Sequence, residues 1–221
     1  MHEQLKTAIL FDLSHTAAKP LLEGTTYPWE ALAGIGAFIL QLGATLSPEE
    51  YDHPADTVWI HKTAKVFPSA YIGENVIIGA NTEVRHCAFI RGNALVGEGA
   101  VVGNSTELKN VILFDNVQVP HYNYVGDSIL GYKSHMGAGS ITSNVKSDKT
   151  LVTIAADEKI PTGLKKMGAV LGDNVEVGCG TVLNPGTVVG KGSNIYPLSA
   201  VRGFVPANSI YKKRGEVVEK R

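Results

Sequence analysis

Residues 72–108 read IGENVIIGANTEVRHCAFIRGNALVGEGAVVGNSTEL, with an aliphatic side chain at every sixth position: Ile72, Ile78, Val84, Ile90, Val96, Val102 and Leu108. The series reaches back to Val66 and Ile60. Four positions after each of its members up to Val102 stands a small or slim residue: Ala64, Ala70, Val76, Thr82, Ala88, Ala94, Ala100 and Thr106. It returns at Leu171, Val177, Leu183, Val189, Ile195 and Val201, with Val175, Thr181, Thr187, Ser193 and Ser199 as companions. A period of six fits neither a helical turn of about 3.6 residues nor the alternation of a lone strand. It fits a solenoid in which each hexad is one short strand and a corner, three hexads to a coil, the sequence signature of a parallel β-helix. The fold class is therefore mainly β. Gly73, Gly79, Gly97, Gly103, Gly172, Gly178 and Gly190 directly follow aliphatic positions, and are expected at sharp corners with positive φ.

Outside the hexads the chain divides into three parts. Residues 1–56 show helical spacing instead: Leu5, Ile9, Leu10 and Leu13, then Leu32, Ile35, Ile39 and Leu42, opened by Pro28 and stopped by Gly43. They read as a short N-terminal helical cap over the first open coil, whose strand edges would otherwise be unpaired. The solenoid is assigned to 57–206. Its rhythm falters over 114–145, and 146–166 reads as an inserted loop. Residues 207–221 form a charged tail, in which Lys212, Lys213 and Arg214 are candidate grips for a phosphorylated ligand.

Composition narrows the function. Twenty basic residues against 21 acidic ones lack the basic excess of a nucleic-acid binder. No apolar run reaches the about 18 residues of a membrane span, and the first ten residues lack the pattern of a signal peptide. Cys87 and Cys179 read as buried small residues in a reducing cytoplasm. His86, His121 and His135 have no metal-ligand spacing, so no metal is expected.

Chemistry is sought where the repeat is broken. The position after the aliphatic residue holds Arg91 and Lys109, one three-hexad coil apart. Stacked on adjacent coils, two cations about 5 Å apart repel unless an anion lies between them, and a phosphate would serve. The alternatives are solvated cations or ion pairs with Glu83 or Glu107. A second break, Val119–Asp127, collects His121, Tyr122, Asn123 and Tyr124; histidine is suited to proton transfer near neutral pH. A third, Gly137–Asn144, is a run of small residues that lets backbone approach a ligand.

Three blocks together resemble a known family. Val102–Lys109, Pro120–Asp127 with its His-x-x-Tyr-x-Gly-Asp order, and Gly137–Asn144 are similar to segments of the C-terminal acetyltransferase domain of the bifunctional N-acetylglucosamine-1-phosphate uridyltransferase/glucosamine-1-phosphate acetyltransferases. The resemblance covers roughly residues 58–205. It implies a left-handed parallel β-helix, a homotrimer and acetyl-CoA as co-substrate. It also implies His121 as general base, Arg91, Lys109 and Tyr124 as sugar-phosphate contacts, and the Asn144 amide near the reacting group. His135 stands in place of a substrate-binding asparagine, Val145 in place of an aromatic residue, and the loop after Asn144 is longer. Ala138 and Gly139 are the expected contacts for acetyl-CoA. Residues 1–56 hold no Gly-rich nucleotide loop, so no uridyltransferase domain is expected. The resulting expectation is an acyltransferase that moves an acetyl group to an amino-sugar phosphate, or to a nucleotide sugar of UDP-N-acetylglucosamine metabolism. The rivals are a non-catalytic sugar-phosphate-binding module and a partner of a separate sugar nucleotidyltransferase.

Overall fold

The hexads stack into a parallel β-solenoid. The computed structural model describes residues 2–213 and 215–220; Arg214, one of the tail cations, lies outside them. Corresponding aliphatic residues of successive coils pair. Ile60, Ile78, Val96, Leu113, Leu130, Leu171, Val189 and Val205 climb one face. Val66, Val84, Val102 and Val119 climb the second. Ile72, Ile90, Leu108 and Val125 climb the third. Most of these ladder side chains are fully buried, as the column of like residues inside a stacked coil requires. The third and first faces belong to one 12-stranded sheet, and the second face is a 9-stranded sheet.

Coil length explains where the rhythm is lost. Ile78 pairs with Val96, a full three hexads on. Val96 then pairs with Leu113, and Leu113 with Leu130, each step one residue short of three hexads. Residues 114–130 therefore remain in the solenoid, in a shortened coil. The slip is taken up between Ile90 and Gly92, where Arg91 has no partner in the next coil. Gly92 takes φ 143 there, as a bulge beside a glycine allows. Farther on, Leu130 pairs with Leu171 and Met136 with Val177, each more than two coils onward in sequence. The surplus over a single coil falls between Thr142 and Ala169. It includes an antiparallel hairpin of Thr153–Ala155 with Lys159–Pro161.

The faces differ on the outside. First-face strands carry three apolar residues in a row, such as Val76-Ile77-Ile78 and Val111-Ile112-Leu113, and the middle, outward-facing one is buried too. A strand buried on both sides reads as a continuous apolar run. The N-terminal segment supplies the cover. The helix Ile35–Gly43 packs on Tyr71–Ile78 and Phe89–Val96, and the 3-10 helix Pro28–Gly34 on Tyr124–Leu130. Asp12 N–H donates to buried Asp173 at 2.7 Å, which ties the segment's start to a late coil. The expected cap is thus corrected: the helices lie along the prism wall. The first coil's edge is paired instead by the antiparallel strand Tyr51–Ala55. At the other end the tail strand Ser209–Lys213 joins the second face, and Glu216–Glu219 folds back antiparallel on it. Main-chain edges need main-chain partners, which a helix has already used within itself.

The expectation of buried cysteines is corrected, since Cys87 and Cys179 are both exposed, and so is that of positive φ at the glycines that follow aliphatic residues. Positive φ falls two residues later, at Asn75, Asn81, Asn93, Gly99, Asn116 and Gly139 among others, residue types that tolerate the left-handed region. The earlier glycines meet a different need. A Cβ on Gly103 would lie 1.6 Å from the carbonyl oxygen of Pro120 in the next coil, whereas one on Gly139 (φ 69) would meet nothing within 4 Å. Gly103→Ala is therefore expected to cost about 3 kcal/mol or more, or to prevent folding, by forcing coils apart. Gly139→Ala should cost only the left-handed strain of about 1–2 kcal/mol. Denaturant melts of the two variants check this; equal losses would contradict it.

Candidate active site

Side chains leave the ladder at the corners, and two corners flank the third face. At the corner from third to first face stand Arg91, Lys109, Asp127 and Asn144. Asp127 is their hub, with its side chain only 5% exposed. Its Oδ1 accepts from Lys109 Nζ at 2.8 Å and from Asn110 Nδ2 at 3.1 Å, and its Oδ2 accepts from Asn144 Nδ2. Asn144 Nδ2 also donates to the Tyr124 hydroxyl at 3.2 Å. Tyr124 lies on the third face opposite Glu107 and Ile141, and its hydroxyl reaches the corner over Gly126, where a Cβ would lie 2.4 Å from it. Burial, then the charges of Glu107 and Asp127, raise the Tyr124 pKa above its ordinary value. The phenol accepts from Asn144, and its own proton has no acceptor among the described residues.

The charge argument for Arg91 and Lys109 is corrected by register. Gly92, not Arg91, faces Lys109. Each cation has its own carboxylate: Arg91 Nη1 lies 2.9 Å from Glu107 Oε1, and Lys109 Nζ 2.8 Å from Asp127 Oδ1. The hydrogen bond to Glu107 raises the Arg91 pKa further. Both cations still line one shallow cavity, with Glu74, Asn75, Gly92 and Asn93.

His121 stands at the other corner, from second to third face, at the end of the strand Gln118–His121. It is exposed, and its ring makes no hydrogen bond among the described residues. Its backbone is fixed instead. His121 N–H donates to Asn123 Oδ1 at 3.1 Å and His121 C=O accepts from Gly139 N–H at 3.0 Å. Buried Asn123 in turn donates to Gly137 and Ser140 carbonyls at 2.9 and 3.0 Å. Ala138 and Gly139 are thus directly beside His121 in the next coil. His135 is apart from both groups, on the second face, with Nδ1 2.9 Å from Glu176 Oε2.

Within one chain the candidates therefore form two clusters. Lys109 and Asn144 meet on Asp127, Tyr124 joins through Asn144, and Arg91 is beside them; His121, Ala138 and Gly139 meet at the opposite edge. The third-face strand runs between His121 and Asp127, a span of about 15–20 Å at strand rise. Sequence reasoning gave no role to Asp127 or Asn123. Asp127 closes the His-x-x-Tyr-x-Gly-Asp block and was visible there, but only the fold shows what it binds. Among the described residues no group of three His, Cys, Asp or Glu side chains is placed to hold a metal, and no helix is long and apolar enough to cross a membrane.

Removing Lys109 leaves Asp127 buried beside neutral amides. Lys109→Ala should lower stability by about 2–4 kcal/mol, the range for orphaning a buried charge. Arg91→Ala, at a half-exposed pair, should cost under about 1 kcal/mol. Equal thermal stability of both variants would argue against the hub.

Comparison with known proteins follows the same stretch of chain. The family model described as GMPPB C-terminal domain matches residues 82–194. The bifunctional protein GlmU of Methanococcus vannielii is 33% identical over 159 residues, which cover 72% of this chain and 34% of the relative. That of Methanococcus maripaludis (strain S2) is 30% identical over 198 residues, covering 88% and 48%. The chain spans between about a third and a half of these relatives. Among solved structures, the acetyltransferase domain of PglB from Neisseria gonorrhoeae FA1090, in complex with acetyl coenzyme A, aligns with 70% of this chain and 53% of its own, at 19% identity and a TM-score of 0.33.

Proposed function

Because the chain belongs to the family of the GMPPB C-terminal domain, we propose that it is a CoA-dependent N-acyltransferase acting on an amino-sugar phosphate or a nucleotide sugar. The observation that carries the reading is the convergence of Lys109 and Asn144 on buried Asp127, with Tyr124 joined to them through the Asn144 amide, three candidates that lie far apart in sequence. The similarity to GlmU proteins over most of the chain supports it.

The chemistry runs as acyl transfer. The sugar amine attacks the thioester carbonyl of acetyl-CoA, a C–N bond forms, the C–S bond breaks, and coenzyme A leaves as the thiol. The amine proton passes to the His121 imidazole and on to the departing sulfur. Arg91 and Lys109 hold the phosphate, Arg as a fork and Lys as a point charge. The Tyr124 hydroxyl donates to the sugar phosphate. Ala138 and Gly139, without bulk at their corner, let the coenzyme A chain lie against backbone. His135, expected as an acceptor contact, is held on the second face by Glu176 and has no part in this acceptor site within one chain.

A base about 15–20 Å from the phosphate grip cannot serve it within one chain. The reading therefore requires copies of the chain to bring one corner against the other, and we assign the site to the interface of a homotrimer. The first face is covered by the chain's own helices, so copies meet through the others. On the third face Tyr71 and Phe89 are 60% and 42% exposed and touch edge to face at 5.5 Å. Leu198, at the His121 corner, is 85% exposed. A second reading, a non-catalytic sugar-phosphate-binding module or partner of a sugar nucleotidyltransferase, draws on His135 being tied to Glu176 on a different face from the grip.

Thiol release from acetyl-CoA, measured against a panel of amino-sugar phosphates, tests the reading. His121→Ala should lower kcat by about 10²–10⁴ with acceptor affinity nearly intact. A parent protein that binds an amino-sugar phosphate tightly yet releases no thiol selects the binding module. Light scattering should give three times the 23.5 kDa chain mass; a monomer at working concentrations would remove the shared site.

A further inference from the structure

We propose that Asp127 is a positioning residue that fixes which end of the Asn144 amide faces the acceptor; the inference rests on the acyl-transfer reading above. A carboxylate paired with a lysine offers only acceptors. Of the two ends of an amide, only the nitrogen can face it. The Asn144 nitrogen has two N–H groups, and both have a destination: Asp127 Oδ2 and the Tyr124 oxygen. The amide oxygen is turned the other way, and among the described residues nothing donates to it. Asn144 therefore presents an acceptor to whatever enters the corner.

This changes what Asn144 can do. A carbonyl oxygen cannot stabilise the oxyanion of a tetrahedral intermediate, which needs donors. It can accept an N–H, and the reacting amine of the sugar carries one beside the lone pair that attacks. An acceptor held at a fixed point turns that N–H toward itself and the lone pair toward the thioester carbon. Rigidity comes from behind. Asp127 is itself pinned by Lys109 at 2.8 Å and by Asn110 at 3.1 Å, and the Asn110 amide also donates to the Leu32 carbonyl at 3.2 Å. The orientation of Asn144 is thereby referred to the 3-10 helix that covers the first face. Asp127 touches neither reacting atom and acts through Asn144.

Three forms of the protein decide it: parent, Asp127→Asn, and the swap Asp127→Asn/Asn144→Asp. In Asp127→Asn two donors oppose each other and one amide must turn over. In the swap the donor and acceptor exchange places, the hydrogen bond returns, and the second carboxylate oxygen at position 144 faces outward as an acceptor. The first readout needs no substrate. Side-chain amide protons of Asn144, assigned in ¹⁵N-labelled protein by their loss in Asn144→Ala, should exchange slowly with water in the parent and at least about 10-fold faster in Asp127→Asn. The second is acetyl transfer from acetyl-CoA to glucosamine 1-phosphate. There kcat should fall about 10–100-fold in Asp127→Asn, with KM for acetyl-CoA little changed, and recover most of that in the swap. Unprotected Asn144 protons in the parent, or unaltered protection in Asp127→Asn, overturn the proposal. So does a folded swap that stays as slow as Asp127→Asn. If Asp127→Asn does not fold, the parent exchange and the swap carry the test. A parent that transfers nothing to glucosamine 1-phosphate sinks the acyl-transfer reading, and the exchange readout still decides Asp127.

Discussion

Coil-on-coil hydrogen bonding is the constraint from which the rest of this molecule follows. Each coil must offer its N–H and C=O groups in register to the next, so interior positions repeat and backbones approach closely. Gly103 is a glycine because the Pro120 carbonyl of the neighbouring coil occupies the space of its Cβ. Asn116 and Gly139 are what they are because the corner after each strand needs left-handed backbone. Such a stack leaves little freedom on its faces. Chemistry is pushed to the corners, where one residue per coil projects and neighbours in space are about a coil apart in sequence.

The same constraint sets which surfaces are available. A three-sided stack with apolar residues outside as well as inside on one face cannot expose that face. Residues 2–55 resolve this by lying along it, from a hydrogen bond at Asp173 to the antiparallel strand at the first coil. The covering segment thereby reaches the candidate site. Through Leu32 and Asn110 it contacts the Asp127 hub. A change in the helical segment has a path to the corner that does not pass through the solenoid core.

Legibility in the sequence followed the repeat. The hexad series from Ile60 to Leu108 and from Leu171 to Val201 carried the solenoid, its ladders and its core, because burial inside a coil acts on every sixth side chain alike. Residues 114–130 were opaque because their coils are one residue short, which moves every later position out of phase without leaving the stack. The bulge at Arg91 was opaque for the same reason, and it undid the stacking of Arg91 on Lys109. The helices were legible as helices, from Leu32, Ile35 and Ile39. Their location was not, since amphipathic spacing says that a face is buried and not against what. Of the candidate site, Lys109, Tyr124 and Asn144 could be named before their geometry was known. Asp127 could not be given a role, because Lys109 and Asn144 lie a whole coil before and after it along the chain. His135 looked like a neighbour of the small-residue run by sequence, yet the corner between them turns it onto the second face.

Charge pairing at the corner bears on how an anion would be recognised there. Arg91 is matched by Glu107 and Lys109 by Asp127, so the corner holds two cations without a net positive field. Long-range attraction contributes little under such balance, and salt screens what remains. A phosphate must instead compete at short range. The Lys109 ammonium has three donors and the hub uses one of them, while the Arg91 guanidinium has five and Glu107 takes one. Free donors on both cations, with the Tyr124 hydroxyl proton beside them, can close on an anion while both carboxylates stay paired. Asp127 need not be abandoned when ligand binds, and the orientation it imposes on Asn144 persists from the empty corner to the occupied one. Recognition of an anion at this corner would thus be set by donor geometry, which is the form of selectivity a rigid stack of coils can supply.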